Sequence, residues 1–225
     1  MTGREAKDAL YAQFSRVAKA AANPRRIELL ELLAQAERSV EDLARASGMD
    51  FSNTSAQLQV LRQARLVECR RQGKRILYRL ADDGVNRFLT ALRHLSRSRL
   101  AEVEQVVRAY FQGHDELEPI MSAELIGRMR RGDILVLDVR PRNEFEAGHI
   151  PGAISMPLSE LRDRLSELAG DLDVVAYCRG PYCVLAPQAV QLLRAAGFRA
   201  RRLEEGFPEW RLAGLPTVAA EAGIA

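Results

Sequence analysis

A four-residue turn at residues 47–50 (SGMD) separates two short segments with helix-forming patterns, and it constrains the fold more than any other feature. Ser39, with an acidic residue three positions later, predicts the start of a helix over residues 39–46. Gly48 suits the C-terminus of that helix, where a left-handed backbone is common. Asp50 can then cap a second helix over residues 51–64. A helix, a tight turn and a second helix form an arrangement typical of proteins that read DNA.

The second helix and the segment after it carry polar and basic side chains. Amides such as Asn53 and Gln57 on its outward face suit bidentate hydrogen bonds to adenine. Residues 66–80 contain two β-prone segments around a Gln-Gly turn, which predicts a β-hairpin with a cationic tip, here called the wing. Such a hairpin is positioned to contact the phosphate backbone or the minor groove. The candidate DNA-binding residues are Ser52, Asn53, Ser55, Ala56 and Gln57 on the helix, and Arg62, Arg71, Lys74 and Arg75 on or beside the wing.

Four motifs of the N-terminal half carry a family resemblance: NPRRIELL at 23–30, SVEDLA at 39–44, QLQVLR at 57–62 leading to LV at 66–67, and GKRILYRL at 73–80. With them, residues 10–112 closely resemble the ArsR (arsenic-repressor) family of winged helix-turn-helix proteins. The resemblance implies a homodimeric repressor with the helix 51–64 in the major groove. It also implies a long helix, here residues 84–111, that packs across the two-fold axis. The alternative is a winged helix used only for protein contacts.

The sequence departs from the ArsR pattern at the positions where metals bind. Residues 37–42 (ERSVED) lack the pair of cysteines that a soft metal would need. On the predicted long helix, His94 is followed eleven residues later by Gln105 and not by a second nitrogen ligand. Cys69, at the start of the wing, is interpreted as a small apolar filler. We therefore expect neither a metal site nor a cofactor.

The two halves of the chain differ in charge. Residues 1–114 carry 20 Lys and Arg against 13 Asp and Glu, a balance of +7, whereas residues 115–225 carry 13 against 17, a balance of −4. Such an asymmetry indicates two domains of different kind. We expect a DNA-binding and dimerisation domain over residues 1–112, a linker over 113–119, a second domain over 120–217 and a tail over 218–225.

The second domain is predicted to be a small α/β fold with a central parallel sheet. Residues 134–139 (ILVLDV) and 174–177 (VVAY) are continuous apolar strands of the kind buried on both faces of such a sheet. Helices are expected over residues 158–168 and 187–196. In this architecture a ligand site is expected where strands end and helices begin.

Cys178 stands at that place, directly after the strand 174–177 and before the helix near Pro187. Backbone N–H groups of the loop and the positive end of the helix dipole both favour its thiolate, which is a nucleophile. The alternative is a buried structural cysteine. The other residues of the loop are Arg179, Gly180, Pro181, Tyr182, Cys183 and Val184.

Motifs on both sides of the cysteine loop carry a second resemblance: LDVR at 137–140, EFEAGHIPGA at 144–153, EGFPEW at 205–210 and AGLP at 213–216. With them, residues 120–217 resemble the rhodanese (sulfurtransferase) homology domain. The resemblance implies that Cys178 takes a sulfane sulfur from thiosulfate, polysulfide or a low-molecular-weight persulfide and passes it to a thiol or cyanide. Arg179, Gly180, Tyr182, Cys183 and Val184 would form the cradle of the loop. Asp138, Arg140, Glu144 and His149 would fix the loops and not take part in the chemistry.

Two loop positions refine the expected chemistry. Related phosphatases and arsenate reductases need an arginine six residues after the cysteine, where this chain has Val184, so phosphoryl and arsenyl transfer are excluded. Cys183 is close enough in sequence to attack a Cys178 persulfide, expel sulfide and close a disulfide. The alternative is that Cys183 is an ordinary loop residue whose thiol has no role. Two cysteines without further ligands make a zinc site improbable.

The sequence thus predicts a dimeric DNA-binding transcriptional repressor whose rhodanese domain senses or processes reactive sulfur through a persulfide or a disulfide. An active sulfurtransferase tethered to a DNA-binding domain is the first alternative, and a metal- or arsenic-responsive repressor is the weaker second. The expected partners are double-stranded operator DNA, a sulfane-sulfur donor and a second copy of the chain. Because the sequence has no run of 18 apolar residues and no signal peptide, we expect a cytoplasmic protein without a membrane partner.

Overall fold

Helices dominate the first of two units, Met1–Ala91, and a parallel sheet organises the second, Leu92–Ala225. The computed structural model describes residues 1–112, 119–168 and 172–219. Most of the predicted linker (residues 113–118) and of the predicted tail (residues 220–225) lies outside the described residues. The domain bounds given above stay predictions.

The first unit combines helices with a small antiparallel sheet in the order β1-β3-β2. Its elements are α1 (Gly3–Ala21), α2 (Pro24–Leu33), β1 (Arg38–Ser39), α3 (Val40–Ser47), α4 (Phe51–Gln63), β2 (Val67–Gln72), β3 (Arg75–Leu80) and the beginning of α5 (Asp83–Arg99).

The predicted helix-turn-helix is confirmed as α3 and α4. The Ser39 hydroxyl accepts a hydrogen bond from the Asp42 N–H at 3.1 Å and caps α3. Gly48 ends α3 with φ of 65°, a left-handed conformation that favours glycine. Asp50 caps α4 by accepting from the Asn53 N–H at 2.8 Å. Leu58 on α4 is fully buried, so the opposite face of this helix is turned outward.

The predicted wing is confirmed as the hairpin β2–β3. The strands pair antiparallel from Val67↔Leu80 to Gln72↔Arg75. Gly73 at the tip has φ of 61°, which the tight turn requires. Tyr78 of β3 is buried in the core of the unit, so the base of the wing is held firmly.

The prediction of a single long helix over residues 84–111 was wrong. α5 ends at Arg99, Leu100 takes an extended conformation (φ −112°, ψ 107°), and α6 (Ala101–Val107) begins a new helix. A π-helical turn, Arg108–Gln112, follows α6. Basic residues end α5 and acidic residues begin α6, which is the charge pattern that two separate helix dipoles favour.

The second unit is built on a parallel sheet in the order β5-β4-β6-β7, which confirms the predicted α/β architecture. In register, Asp138 at the end of β4 lies beside Tyr177 at the end of β6, so the loops after these strands meet at one edge. The elements after α6 and the π-helical turn are α7 (Ser122–Arg131), β4 (Ile134–Asp138), α8 (Arg142–Ala147), β5 (Ile154–Ser155), α9 (Leu158–Leu161), a 3-10 turn (Leu165–Glu167), β6 (Asp173–Tyr177), α10 (Leu185–Ala195), β7 (Ala200–Arg202) and α11 (Phe207–Leu212). The helix predicted over residues 158–168 is thus only α9 and the 3-10 turn.

Both faces of the parallel sheet are buried. Leu137 and Ala176 belong to a core cluster with Val190 of α10. The neighbouring strand residues Val136 and Val175 point the other way, into a cluster with the indole of Trp210. This alternation explains why the strands read as continuous apolar runs.

Within the described ranges, no helix combines the length and the apolar character needed to cross a bilayer.

Candidate functional site

The outward face of α4 presents the polar residues expected to contact DNA. Ser52, Asn53 and Ala56 are exposed, and Ser55 and Gln57 are half-buried. The Ser52 hydroxyl donates to the Asp50 carboxylate at 2.6 Å. This bond and the Asn53 N–H hold the pKa of Asp50 below its usual value. The N-terminus of α4 therefore carries a carboxylate cap at neutral pH.

The two amides expected to read bases are bonded to each other. The Gln57 amide donates to the Asn53 amide oxygen at 3.1 Å, and the Gln57 amide oxygen accepts from Arg26 at 2.8 Å. Contact with a base edge would therefore exchange existing hydrogen bonds for new ones. Sequence reasoning missed Arg26, because its distance of 31 residues from Gln57 gave no local signal.

The wing keeps a cationic tip although part of its charge is compensated. Arg70 forms a fork with the Glu37 carboxylate, with nitrogen–oxygen distances of 2.5, 2.8 and 3.0 Å, and Arg79 pairs with Glu68 at 2.7 Å. Arg70, Glu68 and Arg79 lie on β2 and β3 and not at the turn. The candidate residues Arg62, Arg71, Lys74 and Arg75 are exposed.

Cys178 and Cys183 are joined by a disulfide in the loop between β6 and α10. Their Cα atoms are 6.3 Å apart, within the roughly 4.4–6.8 Å that a disulfide needs. The Cys183 N–H donates to the Gly180 carbonyl at 3.1 Å and tightens the turn. Cys178 is only 2% exposed, whereas Cys183 is half-buried. The loop can therefore hold two cysteine sulfurs in the oxidised state, and a nucleophilic thiolate is released only on reduction.

Arg179 fixes the loop to α8 through Glu144. Its guanidinium donates to the carboxylate at 2.7, 3.0 and 3.1 Å. The Glu144 side chain is fully buried and that of Arg179 is 23% exposed. This charged loop residue therefore has its charge balanced by a carboxylate inside the domain.

A buried polar network supports the ends of β4 and β6. The Arg140 guanidinium donates to the Asp138 carboxylate at 2.6 to 3.1 Å and to the Gly148 carbonyl at 2.7 Å. The Tyr177 hydroxyl donates to Asp138 at 2.5 Å and accepts from the Ile150 N–H at 3.2 Å. This network ties the loop after β4 to the strand that precedes Cys178.

The ionisation of this network is set by burial and by the mutual contacts. Burial acts to lower the pKa of Arg140, but its hydrogen bonds and charge interaction with Asp138 prevail and raise it. Burial, followed by the charge of Asp138, raises the pKa of Tyr177 well above its usual value. Arg140 therefore stays charged and Tyr177 stays neutral over the whole physiological range.

His149 is held by local contacts near the sheet edge. Its ring stacks on Phe145 with centroids 3.7 Å apart, and Nδ1 lies 2.8 Å from the Phe145 carbonyl oxygen. The backbone N–H of His149 donates to the Val218 carbonyl at 2.8 Å. These contacts favour a positioning role over proton transfer.

The turn before α11 packs against the cysteine loop. The Phe207 N–H donates to the Cys178 carbonyl at 3.0 Å. Glu209 accepts from the Gly206 N–H at 3.1 Å and forms an ion pair with Arg93 of α5. Sequence reasoning used this segment only as a family motif and assigned no role to Gly206, Glu209 or Arg93.

Comparison with known proteins identifies both parts of the chain. The model of the arsR family of bacterial regulatory proteins matches residues 23–68, and the model of the rhodanese-like domain matches residues 121–213. The HTH-type transcriptional regulator Rv0324 of Mycobacterium tuberculosis is 50% identical over 210 residues, which cover 93% of this chain and 92% of that protein. The chain belongs to the ArsR family of transcriptional regulators. Both resemblances seen in the sequence are thereby confirmed, and this ArsR-family regulator carries a rhodanese-like domain.

Shorter matches cover single domains of this ArsR-family regulator. A sulfurtransferase of Allochromatium vinosum is 38% identical over 90 residues, 40% of this chain and 82% of that protein. A solution structure of the homodimeric winged helix-turn-helix DNA-binding domain of Mb0332 from Mycobacterium bovis is 44% identical, covers 44% of this chain and 91% of that chain, and has a TM-score of 0.41.

Proposed function

We propose that this ArsR-family regulator binds operator DNA as a homodimer and responds to sulfane sulfur through Cys178 and Cys183. The observation that carries the proposal is the disulfide between the two cysteines of the rhodanese-like loop. It supports a resolving role for Cys183 next to the nucleophile Cys178. A pair that forms and opens a covalent bond can give the chain two chemically distinct states.

The chemistry needs two thiols and one sulfane donor. The Cys178 thiolate attacks the outer sulfur of a persulfide RSSH, which gives a Cys178 persulfide and releases RSH. The Cys183 thiolate then attacks the Cys178 Sγ, and the bond to the terminal sulfur breaks with release of hydrosulfide. In total, two cysteine thiols and RSSH give the disulfide, RSH and H₂S. The sulfane sulfur is reduced and the two cysteine sulfurs are oxidised.

The DNA side of the proposal rests on α4 and the wing. The exposed polar face of α4 suits base contacts in the major groove, and the exposed cations Lys74 and Arg75 at the tip of the wing suit phosphate contacts. Operator binding places the action of the chain in the cytoplasm. The homodimer is proposed because two copies would match the symmetry of a palindromic operator.

The second candidate function is a working sulfurtransferase tethered to a DNA-binding domain. The likeness of the rhodanese-like domain to the Allochromatium vinosum sulfurtransferase favours it. In that case Cys178 turns over with a donor such as thiosulfate and an acceptor such as cyanide. Catalytic turnover without any effect on DNA binding would distinguish it from the regulator. Metal titration tests the metal-responsive alternative.

The deciding experiment measures operator affinity with and without polysulfide and records the intact mass of the same samples. Wild type that is first reduced should lose affinity on treatment, lose two mass units for the disulfide, and recover with a reducing thiol. Cys178→Ser should stay bound throughout, and Cys69→Ser should respond like wild type because Cys69 lies in the other unit. Equal affinity of treated and untreated wild type would refute the switch.

A further inference from the structure

Arg26 of α2 is held at three points within the first unit. Its Nη2 donates to the Lys19 carbonyl at 3.1 Å, and its Nε donates to the Ala20 carbonyl. Both carbonyls belong to the last turn of α1, where a helix favours a nearby cation. Its Nη1 donates to the Gln57 amide oxygen at 2.8 Å. The end of α1 therefore fixes the guanidinium that contacts α4.

This anchor decides which way the Gln57 amide is turned. A guanidinium has N–H donors and no acceptor, so the Gln57 atom that faces Arg26 has to be the oxygen. The Gln57 nitrogen then faces Asn53 and donates at 3.1 Å to the Asn53 amide oxygen. Arg26, Gln57 and Asn53 thus form a hydrogen-bonded row with one fixed direction from donor to acceptor. We call it the amide row.

The amide row ends in donors. Asn53 is exposed on the outward face of α4, and its side-chain nitrogen donates to no partner among the described residues. Both N–H groups of that nitrogen are thus available to a ligand, whereas the amide oxygen is turned toward Gln57. An amide that offers one donor and one acceptor side by side suits adenine. Asn53, held in this way, offers donors.

The four bases differ in how they meet such a group in the major groove. Guanine presents two acceptors, N7 and O6, and thymine presents one, O4. Adenine presents its N6 donor beside N7, and cytosine presents the N4 donor. A donor placed against a donor forms no hydrogen bond and leaves both groups unpaired. Bidentate contact with adenine would use the Asn53 oxygen and exchange its bond to Gln57, whereas guanine can be contacted while the amide row stays intact.

We propose that Arg26 is a positioning residue for base specificity, which acts through Gln57 and makes Asn53 a reader of guanine at one position of each half-site. Residue types alone predict adenine, and the direction of the amide row changes the expected base. The inference rests on the proposed function, because it needs DNA binding by α4. It concerns the ratio of affinities for two bases and not the total affinity or its response to sulfur, so it can fail while the proposed function holds.

The experiment uses the reduced full-length chain and a pool of duplexes of random sequence. The duplexes that the wild type retains define its half-site, and each base of that half-site is then replaced by the other three. At one position the wild type should bind guanine about tenfold more tightly than adenine, as expected for one specific base contact. A half-site without a preferred guanine would overturn the proposal. Hypoxanthine at that position should bind like guanine, because it keeps N7 and O6, and a loss of affinity would place the contact in the minor groove and contradict reading by α4.

Arg26→Met removes the anchor, and Arg25→Met is the matched control. Arg25 is the preceding residue of α2, and its exposed side chain pairs with Glu28 at 3.1 Å. Each variant removes one cation, so a loss of phosphate attraction cancels in the ratio of affinities for guanine and adenine. Because the amides can turn without the anchor, Arg26→Met should lose most of the preference for guanine, whereas Arg25→Met should keep it. An unchanged ratio in Arg26→Met would show that Arg26 has no role in specificity.

Gln57→Glu reverses the direction of the row and keeps the test decisive if Arg26→Met fails to fold. One carboxylate oxygen can pair with Arg26, and the other can only accept, so the Asn53 nitrogen has to face position 57 and its oxygen is turned outward. The preference should then move from guanine to a base that presents a donor, adenine or cytosine. A preference for guanine that survives Gln57→Glu would contradict reading by Asn53. A wild type that retains all duplexes of the pool equally would disprove operator binding, and the inference with it.

Discussion

Gly206 lies against the backbone of Gly180, so that a β-carbon at Gly206 would stand 2.5 Å from the carbonyl carbon of Arg179 and closer still to Gly180. No real β-carbon tolerates such a contact without a shift of the backbone. The turn before α11 and the cysteine loop are therefore packed backbone to backbone. The hydrogen bond from the Phe207 N–H to the Cys178 carbonyl holds the same contact.

Gly206→Ala should displace the cysteine loop. Its φ of −102° is allowed for alanine, so the effect is steric and not conformational. We expect a loss of about 1–3 kcal/mol in the free energy of unfolding and at least about tenfold slower closure of the disulfide by polysulfide. Gly127→Ala in α7 is the control, because a β-carbon there meets only the end of the Arg131 side chain at 3.8 Å. Closure at the wild-type rate would show that the contact does not position the loop.

Arg179→Met should leave a buried carboxylate without its guanidinium. Glu144 is fully buried, and the loss of a partner from a buried ion pair costs about 3–5 kcal/mol of unfolding free energy. Urea unfolding at neutral pH measures this loss. The double variant Arg179→Met/Glu144→Gln should recover much of the stability, since the buried carboxylate that lost this guanidinium is then replaced by a neutral amide. A double variant less stable than Arg179→Met would contradict this account.

Tyr177 should make the stability depend on alkaline pH. Burial and the charge of Asp138 raise the pKa of Tyr177 above its usual value of about 10. The folded state thus favours the protonated hydroxyl. This stabilisation is complete below about pH 10 and is lost as the pH rises further, because the unfolded chain ionises first.

Tyr177→Phe should weaken that alkaline loss in urea unfolding curves recorded above pH 10. At neutral pH the variant should lose about 1–3 kcal/mol, because Asp138 and the Ile150 N–H each lose a hydrogen bond. Tyr11→Phe, at an exposed position of α1, should have no effect on either quantity. If the stability of Tyr177→Phe fell above pH 10 as steeply as that of the wild type, Tyr177 would not be the group responsible for the alkaline loss.

Arg75→Ala should weaken binding to all duplexes by a similar factor. Arg75 begins β3 at the tip of the wing, where a cation neutralises a phosphate and releases counterions. The slope of log affinity against log salt should fall by about one. Arg130→Ala on α7 removes the same charge from the other unit and should leave the slope unchanged. Loss of affinity for only one sequence would point to base reading by Arg75.

Gln57→Ala should relax base preference at one position of each half-site, with a cost of about 1–3 kcal/mol for the preferred base. Its bonds to Arg26 and Asn53 imply a second effect, because the variant releases both side chains. Gln59→Ala, exposed on the same helix, is the control. The affinities for a panel of operators with single-base changes measure both the change in base preference and the effect of the released side chains. A uniform loss of affinity across the panel would contradict base reading by Gln57.

The DNA-binding unit could be predicted closely because its signals are local. Ser39, Gly48 and Asp50 each act on backbone within four residues, so caps and turn are readable from short windows. The break at Leu100 was missed because apolar residues recur on both sides of it. The change from basic residues at the end of α5 to acidic ones at the start of α6 was the available signal.

The surroundings of the cysteine loop could not be predicted in the same way. The place of Cys178 follows from a strand, a loop and a helix in sequence. The contacts of the loop do not follow from sequence order, since Arg179 bonds to Glu144 across 35 residues and Gly206, which comes after β7 in the chain, packs against Gly180. Crossover connections of a parallel sheet create such contacts, and short windows of sequence do not encode them.

Arg179 stands inside the ring that the disulfide closes between Cys178 and Cys183. Trypsin cuts a denatured chain after arginine, so digestion opens the ring between Arg179 and Gly180. In the oxidised protein the two resulting peptides stay linked by their sulfurs, whereas in the reduced or persulfidated protein they separate. A tryptic digest of an alkylated cell extract, made without a reducing agent, thus records the fraction of the regulator that was oxidised at the moment of alkylation, without any purification.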